Sequence, residues 1–350
     1  MPSSIRLVVG IPTISSSDYI YQSLVRYKKE INMLPAMFNT SVVICINGED
    51  NNNTIENEVS KFAVDQSNIN VIILKRKEPG KNAALNLILE HARNLNCDII
   101  HFLDDDVILK NGSLKLDIIT LIDAQQNSSV PIMVGSNFYG IEQKLPDFIN
   151  SDKNIISAIK NWILHKIFIL PFRESADKTT FCIGQSLCAY MRYYPDYPDD
   201  ATGIADDGFI GYYWAKKNKS VILYDKANPI IKPKDSVVYF RIAKTYKEWL
   251  HQQVRIYTGV YYACVDQAED SNDVDFFADY FRWEYTIGKS SRRKGNEKGL
   301  KHIVKLSILR LFYNHVVAKS NRIITQKEVP PWIIARSTKN INIDINLNKM

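Results

Sequence analysis

The sequence predicts an α/β fold, a mostly parallel central sheet covered by helices and followed by a mainly helical C-terminal region. Three observations lead there. Short apolar runs alternate with helical stretches as far as Lys110. The runs are continuous rather than alternating in polarity, as in strands buried on both faces. From about Lys244 to about Ser320 the pattern is mainly helical. The expected division is a first domain over residues 1–243 and a helical region over 244–350.

The elements follow in order. Leu7 to Ile11 reads as a buried strand closed by Pro12, and Tyr19 to Ile31 has helical spacing of apolar residues. Ser41 to Ile46 is a second strand, ended by Asn47-Gly48, and Thr54 to Val64 a second helix. Asn70 to Leu74 is a third strand. Lys81 to Leu95 is a helix entered through Pro79-Gly80, and Asp98 to Leu103 is a fourth strand ending in three acids. Beyond this the pattern loosens. Pro131 to Gly135, Phe181 to Tyr190 and Val221 to Tyr224 read as strands; Ile155 to Leu170 and Phe209 to Lys216 read as helices. A Pro- and Asp-rich loop, Tyr194 to Asp200, leads into Ile204-Ala205-Asp206-Asp207.

Composition excludes several classes. With 45% hydrophobic and 23% charged residues in 350, the chain is globular rather than disordered. The five cysteines are scattered without zinc-ligand spacing, which suits a reducing cytoplasm. No charged leader precedes an apolar core, and no run of about 20 apolar residues is present, so neither a secretory signal nor a membrane span is expected. The formal charge of +6 is uneven. Residues 266–279 are acidic, and residues 289–322 are basic. That basic stretch is either a solvated helix face or a peripheral contact with an anionic membrane on its inner face. No nucleic-acid motif accompanies it, so nucleic acid is not an expected partner.

In open α/β sheets, ligands bind outside the carboxyl ends of the strands. Three features fall there: Pro12-Thr13, Asn47-Gly48-Glu49-Asp50 and Asp104-Asp105-Asp106. Clustered carboxylates at a strand end repel one another unless a proton or cation relieves them, and their hard oxygens suit Mg²⁺ or Mn²⁺. Gly80-Lys81 opens a helix, where anions are favoured, although the glycine spacing of a Walker loop is absent. Asp206-Asp207 is a candidate source of a general base. Gln252 and Arg255 lie three apart and share a helix face. Taken singly, each of these is also an ordinary turn, cap or solvated helix.

Taken in order, the set resembles the family-2 glycosyltransferases of the GT-A fold, in particular the branch of the cellulose, chitin and hyaluronan synthases. The carriers are Ile11-Pro12-Thr13, Gly80-Lys81-Asn82-Ala83-Ala84-Leu85-Asn86, Asp104-Asp105-Asp106, Asp206-Asp207 and Gln252-Gln253-Val254-Arg255. The resemblance spans about Leu7 to Gly259. It implies inverting transfer of a hexosyl or N-acetylhexosaminyl group from a nucleotide-sugar, a UDP-sugar in the first instance. The acceptor would be a glycan, a lipid-linked glycan or a peptide. Donor contacts would come from Pro12, Asn47, Glu49, Lys81, Asp104 and Asp105. Asp106, with Asp104, would hold Mn²⁺ or Mg²⁺. Asp207 would be the base, and Asp206, Gln252 and Arg255 would meet the acceptor or the diphosphate. The chain departs from the pattern at three places. Asn47-Gly48-Glu49 stands for the usual Asp-Gly-Ser, Asp206 for a Glu, and Ile256 for a Trp. Loss of that Trp, with no membrane helices, predicts non-processive transfer. Two other readings of the same residues are a catalytically silent sugar-nucleotide-binding subunit and a nucleotidyltransferase.

Overall fold

The computed structural model describes residues 4–14, 17–49, 54–65, 69–141, 143–150, 154–169, 186–217, 230–269 and 300–329. Its core is a seven-stranded sheet. Strands β1 (Ile5–Thr13), β2 (Phe38–Asn47), β3 (Asn70–Arg76) and β4 (Ile99–Leu103) alternate with helices α1 (Ser17–Ile31), α2 (Thr54–Asp65) and α3 (Lys81–Asn94). β1 lies between β2 and β4, parallel to both, and β3 flanks β2. This half matches the sequence expectation element for element.

Alternation along β1 splits the core into two layers. Leu7, Val9 and Ile11 face α1 and α2 and join Ile20, Leu24, Val59 and Phe62. Val8 faces the other way and joins Ala84, Leu85, Ile88 and Phe102. Each fully buried aliphatic side chain contributes roughly 1.5–3 kcal/mol of transfer free energy. Gly10 sets the distance between β1 and α3. A Cβ there would lie 2.8 Å from the Ile88 side chain and 2.9 Å from Phe102.

The rest of the sheet comes from residues far apart in sequence. After β5 (Val107–Leu109) and α4 (Ser113–Gln126) come β6 (Met133–Gly135), β7 (Asn137–Ile141), α5 (Leu145–Ile149) and α6 (Ile155–Leu164). α6 runs on as a π turn, His165–Ile169. β8 (Ser186–Tyr190) inserts antiparallel between β4 and β6. Then follow α7 (Asp206–Lys217), β9 (Ile230–Ile231), β10 (Val237–Arg241), α8 (Tyr246–Gln267) and α9 (Leu300–Gln326). β9 completes the large sheet beside β6, and β10 joins β5 and β7 in a three-stranded sheet. The expected strand at residues 221–224 and the stretch 270–299 lie outside the described residues. β7 and β10 are not among the expected strands, although Val237-Val238-Tyr239-Phe240 has strand composition; β10 is held by long-range pairing with both neighbours.

Candidate active site

The site forms where β1, β2 and β4 end together. Thr13 closes β1, Asn47 closes β2, and Asp104-Asp105-Asp106 follows β4. Parallel pairing puts these ends on one edge, because Thr13 aligns with Ile46 and Gly10 with Phe102.

The acidic turn is fastened from below. Asp105 is buried, and its carboxylate accepts from the Thr13 hydroxyl at 2.7 Å and the Ile14 N–H at 3.3 Å. The Ser23 hydroxyl donates to its carbonyl at 2.8 Å. The Tyr27 hydroxyl donates to the carbonyls of Asp104 (2.5 Å) and Val107 (3.2 Å). Burial, followed by the neighbouring carboxylates, holds the Tyr27 phenol well above its ordinary pKa, so it remains a donor. With Asp105 turned inward, Asp104 and Asp106 are left half-buried at the surface of the site. Asp105 was expected among the donor contacts; its geometry is that of a brace for the turn.

Lys81 joins the two acidic motifs. Its Nζ lies 2.9 Å from Asp104 Oδ1 and 2.8 Å from Asp206 Oδ2, with all three side chains partly open to solvent. Burial alone pulls the ammonium down, but Asp104 and Asp206 outweigh it and the net pKa is raised. α8 brings Arg255 to the same place. Burial lowers its pKa, while Asp206, Asp207 and Asp104 oppose that. Four carboxylates and two cations therefore act on one another here, and negative charge is in excess. The effect is visible in two acids. Burial, with Asp106 and Asp206, raises Asp104 to about 6 against the pull of Lys81. Burial, then Asp206, raises Asp207 to about 7, although Lys81, the Gly208 N–H and Arg255 pull it down.

Two devices that residue-by-residue reading did not find hold this arrangement. The first is Asp200. Its carboxylate accepts from the N–H groups of Asn82 and Ala83, both at 2.9 Å, and caps α3. The anion position at that helix start is thus filled by the chain itself. Gly80 is required there, since a Cβ would come within 2.2 Å of Asp200 Oδ2. The Gly80 N–H donates to Asn47 Oδ1 at 2.9 Å, tying the end of β2 to the helix start. Asn47 is buried, so this carbonyl oxygen is turned to the protein. Glu49, two residues on, is exposed. Pro12 is buried next to Thr13.

The second device is a pair of asparagines in α3. Asn82 donates to the Ile204 carbonyl at 3.1 Å. Asn86 donates to the Tyr197 carbonyl at 2.8 Å and accepts from its N–H at 2.7 Å. Together with Asp200 they lash the loop before Asp206-Asp207 to the helix that begins with Lys81. The available signal was the Pro- and Asp-rich loop, which has few apolar residues and needs polar anchors.

Two glycines let α8 approach. The Ala205 N–H donates to the Gly259 carbonyl at 3.1 Å. A Cβ on Gly259 would lie 2.9 Å from Ala205 Cβ, and one on Gly208 would lie 3.1 Å from Val260. Close packing of α7 on α8 is what sets Arg255 beside the acidic pair, with Gln252 half-buried one turn earlier. Trp249 and Tyr194, aromatic residues of the kind that stack on sugars, belong to the core. Trp249 stacks on Phe312 at 4.0 Å, and Tyr194 packs edge-on to Phe102 and Trp214. Trp162 is half-buried on α6, and Trp283 lies outside the described residues.

The family model for glycosyl transferase family 2 matches residues 8–191, more than half of the chain. The chain belongs to this family. It is a glycosyltransferase of the GT-A fold. The mannosyltransferase PcManGT from Pyrobaculum calidifontis, solved in complex with GDP-Man and Mn2+, is similar in fold. The TM-score is 0.53 at 15% identity, over 96% of this chain and 86% of that one. TarS 1-349 of S. aureus has a TM-score of 0.48 at 12% identity, over 89% of this chain and 81% of that one. Glucosyl-3-phosphoglycerate synthase from Mycobacterium tuberculosis, in complex with Mn2+, UDP and phosphoglyceric acid, has a TM-score of 0.45 at 12% identity, over 76% and 80%. No curated protein sequence matches the chain. The family match of this glycosyltransferase stops before Asp206-Asp207 and Arg255. Those residues join the motifs of the matched part through Lys81 and through α8.

Proposed function

We propose that this glycosyltransferase carries out an inverting, non-processive transfer, with Asp207 as the general base. The observation that carries the proposal is the placement of Asp207. Burial and Asp206 lift it to about 7, where a carboxylate is basic enough to accept a proton at neutral pH and still ionises there. In the reaction, Asp207 takes the proton of an acceptor hydroxyl while that oxygen bonds to the anomeric carbon. The bond from that carbon to the donor phosphate breaks on the opposite face, and the nucleoside diphosphate leaves with the electron pair. Lys81 and Arg255 are the cations placed to meet charge growing on the diphosphate. Asp206 and Gln252 line the acceptor side.

The donor is a nucleoside diphosphate sugar, a UDP-sugar in the first instance, with Asn47 and Glu49 nearest its base and Asp104 nearest its ribose or sugar. The acceptor is a glycan, a lipid-linked glycan or a peptide.

A divalent cation fits the chemistry of this donor set. Among the described residues no three acidic, His or Cys side chains meet as a protein-only cage. Yet carboxylates outnumber cations, and Asp104 and Asp106 are half-buried side by side. Mg²⁺ commonly takes one or two carboxylates and completes its shell with water and substrate phosphate. Asp106, with Asp104, would hold Mn²⁺ or Mg²⁺ and so neutralise the diphosphate when the donor is bound.

The test uses a panel of UDP- and GDP-sugars with Mn²⁺, read first by thermal stabilisation and then by nucleoside diphosphate release. Asp207→Asn is expected to keep donor stabilisation and lose transfer. Near-normal turnover in that variant would sink the assignment. EDTA is expected to abolish activity and Mn²⁺ or Mg²⁺ to restore it; full activity in EDTA removes the metal from the reaction.

A further inference from the structure

α6 and its π turn stand on the surface with an apolar face turned outward. Ile155, Ile159, Ile163 and Ile167 recur at four-residue intervals and so share a side of the helix, with Ile156 next to them. Their exposures are 58%, 39%, 43%, 42% and 75% in the order Ile155, Ile159, Ile163, Ile167, Ile156. Ile149, at the end of α5, is also exposed. Single exposed aliphatics are ordinary, but a contiguous stripe of isoleucines marks a surface that something covers.

The opposite side of the helix fixes it to the body. Ala158, His165 and Ile169 are buried. His165 meets Phe148 edge-on at 5.5 Å, and Phe168 meets Tyr246 at 5.8 Å. Ile169 packs with Trp249, Phe312 and Val316. The apolar face is thus presented by a braced helix, not by a frayed one.

Charge selects the occupant. From Ile155 to Ile169 the only ionisable side chains are Lys160, His165 and Lys166, and none is acidic. Two helices pack on the π turn: α9, which holds Arg310, Lys319 and Arg322 and no acid between Leu300 and Gln326, and α8, whose first turn sets Glu248 beside Lys247. In sequence, Asp152 and Lys153 precede the helix as an acid and a base that offset each other, and Asp147 on α5 caps its own helix by accepting from the Lys144 N–H at 2.8 Å. No helix among the described residues is long and apolar enough to cross a membrane. An aliphatic stripe flanked by lysines, on a helix too short to span, is the composition of a helix lying in a lipid interface.

We propose that the α6 face, Ile155, Ile156, Ile159, Ile163 and Ile167 with Lys160 and Lys166, docks this protein on an anionic bilayer surface. The isoleucines enter the boundary between headgroups and acyl chains, and the lysines meet anionic headgroups. This face is separate from the basic stretch 289–322, whose described part, α9, packs on the π turn. The proposal is independent of the assignment of Asp207.

The test is flotation of the full chain with vesicles of phosphatidylcholine alone or mixed with phosphatidylglycerol. Wild-type protein is expected to float with the mixed vesicles at low salt and to be released at high salt. Ile156→Glu with Ile163→Glu is expected to weaken binding about tenfold or more while leaving the melting temperature unchanged, since both side chains are exposed. Val64→Glu, at an exposed valine of α2, is expected to float as wild type. Three results overturn the proposal. They are absence of flotation with mixed vesicles, unchanged flotation of the double variant, and a wild-type dimer that the double variant splits.

Discussion

Asn86 exchanges two hydrogen bonds with the backbone of Tyr197, donating to its carbonyl at 2.8 Å and accepting from its N–H at 2.7 Å. One amide side chain thus holds both backbone polar groups of Tyr197. The loop so held leads to Asp206 and Asp207, while Asn86 itself lies on the helix of Lys81. The two halves of the site are therefore positioned on each other by backbone contacts, ahead of any substrate.

Asn86→Ala is expected to release that loop. Misplacement of about 1 Å at a catalytic group lowers turnover by up to roughly 100-fold. The expected outcome is a fall of about 10- to 100-fold in kcat with donor KM within about twofold, because the donor's contacts stand elsewhere. Steady-state kinetics with the donor varied decide it; a variant impaired only in KM, or only in melting temperature, would show that Asn86 does not position the base.

The pH dependence follows from Asp207. As the proposed base it must be ionised to accept a proton, and burial beside Asp206 raises its pKa to about 7. In the free enzyme kcat/KM is expected to rise with pH through about 7. Asp206 raises this value and Arg255 lowers it. Asp206→Asn is thus expected to move the limb to lower pH, and Arg255→Gln to higher pH. Shifts in the reverse sense would place another group in control.

The same carboxyl has a thermodynamic signature. Its folded pKa lies above its ordinary value, so its contribution to stability is full at acid pH and is lost as pH rises through about 7. Asp207→Asn cannot ionise and escapes that loss. The variant is expected to melt above wild type at pH 8, with the difference vanishing toward pH 4. Its amide oxygen still accepts from the Gly208 N–H, as Asp207 Oδ1 does at 2.8 Å. Calorimetry across this range tests the sign.

Gly259→Ala probes the approach of α8. The new methyl meets Ala205 Cβ, Ala205 N and the Gly203 carbonyl at 2.9–3.0 Å, and two of these are backbone atoms that cannot swing aside. Overpacking of this kind costs about 1–3 kcal/mol. Arg255 is expected to shift away from the acidic pair, so the loss of stability comes with an alkaline shift of the pH limb. A destabilised variant with an unmoved limb would separate the packing from the chemistry.

The first half of the fold was legible because its strands are continuous apolar runs and its helices have their own period. Asp104-Asp105-Asp106, Lys81 and Asp206-Asp207 were legible as residue types that repel, pair or ionise. The division of labour within the acidic triplet was not, since three identical carboxylates differ only in which way the turn points them. Nor was the pairing of β10 with β5 and β7, which lie far along the chain. The roles of Asp200, Asn82 and Asn86 were hidden for the same reason. A carboxylate capping a helix 117–118 residues away leaves no local pattern.

By itself, then, the sequence determined the parallel sheet, the sheet edge where the candidate site lies and the acids gathered there, because periodicity and residue type are local properties. Tertiary structure alone decided that Asp105 is buried as a brace while Asp104 and Asp106 are half-buried, that Lys81 spans Asp104 and Asp206, and that burial beside Asp206 raises the pKa of Asp207. It also decided that the isoleucines of α6 face outward. Burial, charge proximity and exposure are properties of distance in space, and they exist only once segments remote in sequence have packed together.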